Sequence, residues 1–197
     1  MQIDITHHLG AVKRRTGTRD HDGKPARVVT VSRAYNTTPD DLWNAVTSAE
    51  RLPRWFSPVD GDLRLGGRFQ VQGNARRPDP RWRPPRHFKI TWEFGGATSW
   101  VEVRIAKQGA GATLTLEHIA YPDEHWSKFG PGATGVGWDL GLVGLALHTD
   151  HPGTFNAKDG LAWMASEHGK AFARASSEAW GEANIAGGED RPTAEAM

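Results

Sequence analysis

The chain has no cysteine. Disulfides, thiol nucleophiles and Cys-ligated metals are therefore excluded, and the composition suits a reducing compartment. No apolar run approaches the roughly 20 residues of a membrane span. The opening stretch, MQIDITHHLGAVKRRTG, lacks the continuous apolar core of a secretory signal. Net charge is nearly absent too: 24 Lys+Arg stand against 23 Asp+Glu, formally +1. That removes the general electrostatic reason to expect nucleic acid or an anionic membrane as partner. These absences point to a cytoplasmic protein. Chemical signatures are equally sparse. There is no Gly-x-Ser-x-Gly elbow. The run GPGATGVGW lacks the Lys-Ser/Thr of a phosphate loop and its parallel βαβ setting. The nine histidines are scattered: His7 and His8 lie near the N-terminus, and His148 and His151 have no cluster of carboxylates in sequence beside them. No metal site and no cofactor are expected.

What is present is a run of half-buried strands and amphipathic helices. At 197 residues the chain suits one domain with an appendage. Residues 1–24 are polar, with a basic cluster at Lys13, Arg14 and Arg15. They read as a loosely held arm, or as a docking arm for a partner. Arg27 to Tyr35 alternates as a strand does. Thr38-Pro39-Asp40-Asp41 is a helix start, with Thr as cap, Pro in the first turn and acids at the positive end of the dipole. Leu42, Trp43, Ala45 and Val46 form its apolar face. Ser48 can cap a second short helix that ends at Pro53 or at Trp55-Phe56. Leu63 and Leu65, then Phe69 and Val71, mark two strands joined at Gly66-Gly67. Phe88 to Phe94, Val101 to Ile105 and Leu114 to His118 alternate likewise, with turns at Gly95-Gly96 and Gly109-Ala110-Gly111. Such strands make an antiparallel sheet covered on one side. The cover is Gly135 to His148, with Trp138, Leu142, Leu145 and Ala146 at helical spacing. A second helical run is expected from about Asp159 to Ala186. Its stripe is Leu161, Met164, Ala165, His168, Phe172 and Ala175, and its stop is Gly187-Gly188. The tail beyond it is polar and offers nothing to dock.

Strand, two short helices, antiparallel strands and a C-terminal helix form a helix-grip order. The stretches VSRAYNTTPDDLWNAVTSAERLPRWFSPVDGDLRLGGRF, TWEFGG with SWVEVRI, ATLTLEHIAYPDEHW and GVGWDLGLVGLALH closely resemble the SRPBCC superfamily. More narrowly they resemble the family of homologues of the heat-shock protein 90 ATPase activator, related to START and birch-pollen-allergen domains. The likeness covers roughly Arg27 to His148. It implies an α+β fold in which a curved antiparallel sheet grips a C-terminal helix around an apolar cavity, with a further C-terminal helical extension. Members bind lipids, hormones, polyketides or aromatic compounds, and some are cyclases or aromatase-like enzymes. Organisation is expected as an arm over 1–24, the helix-grip domain over 25–150, the extension over 151–188 and a tail over 189–197. One stretch departs from the family: residues 74–86, NARRPDPRWRPPR, hold five arginines and four prolines where a strand is usual. Proline cannot donate to a ladder. The readings are a looped insertion replacing a strand, an error of reading frame, or an Arg/Pro/Trp contact for nucleic acid or peptide.

Strand phase and the resemblance together select a cavity set: Trp43, Trp55, Phe56, Phe69, Val71, Phe88, Ile90, Trp92, Val101, Val103, Leu114, Leu116, His118, Trp138 and Leu142. The alternative is that these side chains fill a solid core. His118 is the candidate catalytic or ligand-bonding residue. It continues the inward phase of Leu114 and Leu116, and can bond a ligand carbonyl or hydroxyl or move a proton, with Tyr35 as helper. Its plainer role is that of a structural histidine satisfied by backbone. Asp123 to Trp126 reads as a short helix lidding the cavity, or as a solvated loop. The expected partner is a small apolar or aromatic ligand. A cyclase-like enzyme, a chaperone partner suggested by the family, and a homodimer through the extension are the other expectations.

Overall fold

The computed structural model describes residues 3–61, 69–71, 74–78, 82–94, 96–154 and 156–197, with backbone alone at 69, 74–78, 94 and 157. Leu63, Leu65, the Gly66-Gly67 turn and the side chain of Phe69 lie outside the described residues.

Eight described strands form one antiparallel sheet: β1 (Lys13–His21), β2 (Lys24–Tyr35), β3 (Val59–Gly61), β4 (Phe69–Val71), β5 (Asn74–Pro78), β6 (His87–Phe94), β7 (Ala97–Gln108) and β8 (Gly111–Ala120). Their order across the sheet is β1-β2-β8-β7-β6-β5-β4-β3. The described helices are α1 (Ile5–Gly10), α2 (Pro39–Thr47), α3 (Leu52–Trp55), α4 (Glu124–Phe129), α5 (Gly132–Asp150), α6 (Ala157–Ala165), α7 (Glu167–Ala186) and α8 (Arg191–Ala196). This is the helix-grip. Leu142, Leu145 and Ala146 of α5 pack in one core with Val29, Val31 and Tyr35 of β2, Ile90 of β6, Val101 and Val103 of β7, and Leu114 and Leu116 of β8. α2 starts as its sequence dictates: Thr38 accepts from the Asp41 N–H at 3.2 Å, and Pro39 occupies the first turn.

Four expectations need correction. Residues 13–21 are no loose arm. They pair along their whole length with β2, from Lys13 opposite Ser32 to His21 opposite Lys24. The connection is the two-residue turn Asp22-Gly23, both at positive φ (52° and 77°), which is the tight-hairpin geometry that Asp-Gly favours. The arginine- and proline-rich stretch holds a genuine interior strand: β5 pairs with β4 on one side and β6 on the other. Its proline, Pro78, is the last residue of the strand, where a missing donor costs least. The helical run after α5 is two helices. Ser166 ends α6 and caps α7, accepting from the Gly169 N–H at 3.3 Å. The break resets the phase, so Leu161 and Met164 are 66% and 43% exposed while Trp163, Phe172, Ser176 and Trp180 are buried. The tail is not undocked either: α8 buries Ala194, and the Met197 sulfur accepts from Asn184 of α7 at 3.7 Å.

A buried polar knot fastens α7 and β1 to α5. Asp139, with no exposed surface, accepts at one carboxylate oxygen from Arg14 Nε at 2.9 Å, Ser176 Oγ at 2.5 Å and Trp180 Nε1 at 3.1 Å. Burial pushes its pKa up against these three donors. Trp180 lies flat against α5 because residue 135 is glycine: a Cβ there would stand 2.1 Å from the indole ring.

A second contact makes stability depend on pH. Arg51 donates from Nε to His148 Nε2 at 3.1 Å and from Nη1 to Asp41 at 2.6 Å. Only a neutral ring can accept from a guanidinium. Burial first, then the Arg51 and Arg54 charges, hold the His148 pKa below its ordinary 6.5. His8 is pushed down to about 4 by burial and by Arg33. Below pH 6.5 the unfolded chain binds more protons at these rings than the folded chain. Their stabilising contribution is therefore full above that pH and is lost as pH falls. Thermal melts from pH 7 to 4.5 should show a steeper fall for the natural chain than for His148→Gln, whose amide oxygen still accepts from Arg51. Parallel curves would overturn this assignment.

Candidate functional site

The inner face of the sheet is read row by row. Val103 of β7 lies between Phe88 of β6 and Leu116 of β8. In the next row Val101 lies between Ile90 and His118. Beyond that the inward residues shrink: Ser99 faces Trp92, and Ala97 and Ala120 continue the same phase. On α5 the opposing positions are Ala133 and Gly137. Small side chains on both walls leave a hollow of about 620 Å³, open at the end of the grip. Phe56, Trp92, Tyr121 and Trp138 supply its aromatic surface, and Ser99, His118, Asp123, His125 and Thr134 its polar groups. Pockets that take small molecules run to about 300–1,000 Å³ and combine apolar walls with a few placed polar groups. Asp123 also caps α4, accepting from the Trp126 N–H at 2.7 Å, so this stretch is a short helix rather than a loop and its start borders the opening.

His118 is held from both sides. Trp138 donates from Nε1 to His118 Nδ1 at 3.0 Å. His118 Nε2 lies 2.9 Å from Ser99 Oγ, and Ser99 Oγ donates to the Trp92 carbonyl at 3.2 Å. The tautomer that pairs every group is Nε2–H: indole to imidazole, imidazole to hydroxyl, hydroxyl to backbone. The ring therefore fixes the orientation of Trp138, whose indole meets Trp92 edge-on with centroids 5.4 Å apart and lies parallel to Phe56 at 6.5 Å. His118→Phe keeps the shape but leaves the Trp138 N–H without its acceptor and Ser99 without its donor. A loss of about 1–3 kcal/mol in denaturant unfolding is expected; an unchanged midpoint would show that the chain carries nothing.

The predicted set divides in two. Phe56, Trp92, His118 and Trp138 border the open hollow. Trp55, Phe88, Ile90, Val101, Val103, Leu114, Leu116 and Leu142, again with Phe56 and Trp138, surround a void of only about 60 Å³ deeper between sheet and α5. That space takes a water or two and no metabolite. Trp43 packs edge-on against Trp82 and Phe88, and Val71 is buried in the core; neither borders either space. Tyr35 is no helper to His118. It pairs with Ala112, six positions along β8 from His118, about 20 Å at strand rise, and its buried hydroxyl donates to the Leu142 carbonyl at 3.4 Å. Strand phase does not reach Tyr121, Thr134 and Gly137, and Asp123 and His125 enter only through the stretch expected as a lid or a loop. The readable signal was the smallness of Ala97, Ser99 and Ala120 in inward phase. Among the described residues no group of three His, Asp or Glu could hold a metal ion.

The model of the activator of Hsp90 ATPase homolog 1-like protein family matches residues 36–146. The chain belongs to that family. The likeness to solved structures runs further than the matched stretch. CalU16 from Micromonospora echinospora is 30% identical in its solution NMR structure, covering 90% of this chain and 97% of that one with a TM-score of 0.74. Its crystal structure gives 29% identity, 88% and 98% coverage, and a TM-score of 0.70. Two more distant family-like folds share architecture alone: EF2215 from Enterococcus faecalis (12% identity, 91% and 95% coverage, TM-score 0.62) and DynU16, from the dynemicin biosynthetic locus (20% identity, 63% and 47% coverage, TM-score 0.54). No curated protein matches the chain. No described helix is long and apolar enough to cross a membrane.

Proposed function

We propose that this family member binds a small aromatic or apolar molecule in the open hollow between β6–β8 and α5. The observation that supports the reading most is the pairing of volume with lining: about 620 Å³ walled by Phe56, Trp92, Tyr121 and Trp138. Asp123 supplies one carboxylate at the rim, and Ser99, His118, His125 and Thr134 supply further hydrogen-bonding groups. Such a lining favours a planar ring system, lying against an indole, that bears a hydroxyl or carbonyl. Binding rather than turnover is the reading adopted, because both nitrogens of His118 are engaged within the fold. A cytoplasmic location fits the absence of cysteine.

The test is a thermal-shift panel of 2-naphthol, indole, naphthalene and short alkanols. At 100 times Kd a ligand adds about 2.7 kcal/mol, which for a chain of this size raises Tm by about 5–10 °C. A flat panel would count against the reading. The family match favours one other possibility, a chaperone partner. Stimulation of the ATPase of a heat-shock protein 90 by the purified chain would establish it.

A further inference from the structure

Phe56 borders three separate spaces at once. It lines the open hollow of about 620 Å³, the deep void of about 60 Å³, and a groove of about 210 Å³ between α3, α5 and α6. Among the described residues no other side chain borders all three. Its ring rests over Gly141 of α5, 4.0 Å from where a Cβ would stand, lies parallel to Trp138 and touches Trp55 with centroids 5.4 Å apart. The α5 surface beneath it is paved with Gly137, Gly141 and Gly144, and glycine adds no side chain to fill the path. Gly137 borders the hollow and the groove, and Gly141 borders the void and the groove. The three spaces thus lie along one smooth helix face, with the Phe56 ring at their junction.

We infer that Phe56 is the specificity-determining residue that sets ligand length. With its ring in place the hollow accepts compact aromatic molecules. With the ring removed, the three spaces join along the glycine face of α5 and admit an elongated apolar chain. The inference rests on the proposed binding role and adds to it the residue that separates compact from extended ligands. It needs no movement of the sheet, only the absence of one side chain from the junction.

The experiment measures the affinity of 2-naphthol and of a series of primary alkanols, from hexanol to hexadecanol, for the natural chain, Phe56→Ala and Gly141→Leu. The natural chain should bind 2-naphthol and the shorter alkanols and discriminate against the longer ones. Phe56→Ala should gain at least tenfold for dodecanol and longer, shifting the optimum chain length upward. Gly141→Leu replaces a helix glycine with a strong helix former and plugs the junction. It should leave 2-naphthol binding intact and reject long chains even in the Phe56→Ala background. If the natural chain binds 2-naphthol while the length optimum is the same in all three proteins, the length role of Phe56 is overturned and the binding reading stands. If no protein binds any probe, both fall. Should Phe56→Ala not fold, the smaller truncation Phe56→Leu takes its place: a folded Phe56→Leu protein whose optimum alkanol length is the same as that of the natural chain overturns the inference.

Discussion

Asp139→Ala is expected to destabilise the fold by about 3–5 kcal/mol, the usual cost of breaking a buried ion pair by deleting one partner. The reason lies in what remains. Arg14 keeps its Nη1 bonds to the Leu9 and Val12 carbonyls, at 3.1 Å each, but loses the carboxylate that pairs with its Nε. Ser176 and the Trp180 indole, both fully buried, lose their acceptor. A typical domain is stable by only about 5–15 kcal/mol, so the loss consumes a large part of the total. The consequence is local first. α7 and β1 are tied to α5 through this carboxylate, and residue 139 is one step from Trp138, which frames the hollow. Amide exchange should therefore rise in β1 and α7 before the central strands β7 and β8. Replacing both Asp139 and Arg14, by leucine and methionine, should recover the part of the loss that comes from the orphaned charge and leave the smaller cost of the unpaired Ser176 and Trp180 donors. A single-variant cost under about 1 kcal/mol, the range of an exposed pair, would contradict the account.

The second large effect concerns binding without a stability cost. Gly137 lies on α5 with nothing within 4 Å of where its Cβ would be, and it borders the open hollow. Gly137→Phe should place a ring into that space. The helix gains because glycine is about 0.8–1.0 kcal/mol worse than alanine in a helix interior, so Tm should hold or rise. Affinity for 2-naphthol should fall at least tenfold, about 1.4 kcal/mol. Most substitutions that abolish binding also weaken the fold, and the opposite signs expected here separate a blocked site from a damaged one. Unchanged affinity in a folded Gly137→Phe protein would move the ligand elsewhere.

Much of the fold was legible because it rests on period. Alternation in β6, β7 and β8 and the capping sequence Thr38-Pro39-Asp40-Asp41 appear in the structure where the residues place them. β1 was missed because its inward residues are Arg14 and Thr16 rather than aliphatics. Their partners, Asp139 and the Ala183 carbonyl, lie 125 and 167 residues away, out of reach of any local pattern. Asp22-Gly23 was the available clue, and it is a strong one. The helical extension was misphased because a serine that caps looks in sequence like any other serine inside a helix. The site was half legible. His118 faces inward as its phase demands, yet the hollow lies beyond it, where the row ends in alanine and serine. A search for large apolar side chains finds packed core. Cavities are made where small ones coincide on two elements, and that coincidence depends on the three-dimensional pairing of β6–β8 with α5.

A crystal structure of the protein grown with 6-bromo-2-naphthol tests the central proposition most directly, because the bromine marks the ligand by its anomalous signal. The account predicts a bromine peak within the hollow framed by Trp92, Trp138 and Phe56, with the naphthol ring lying against an indole. Side chains closing that space in the crystal, or a bromine found only on the outer surface, would contradict it.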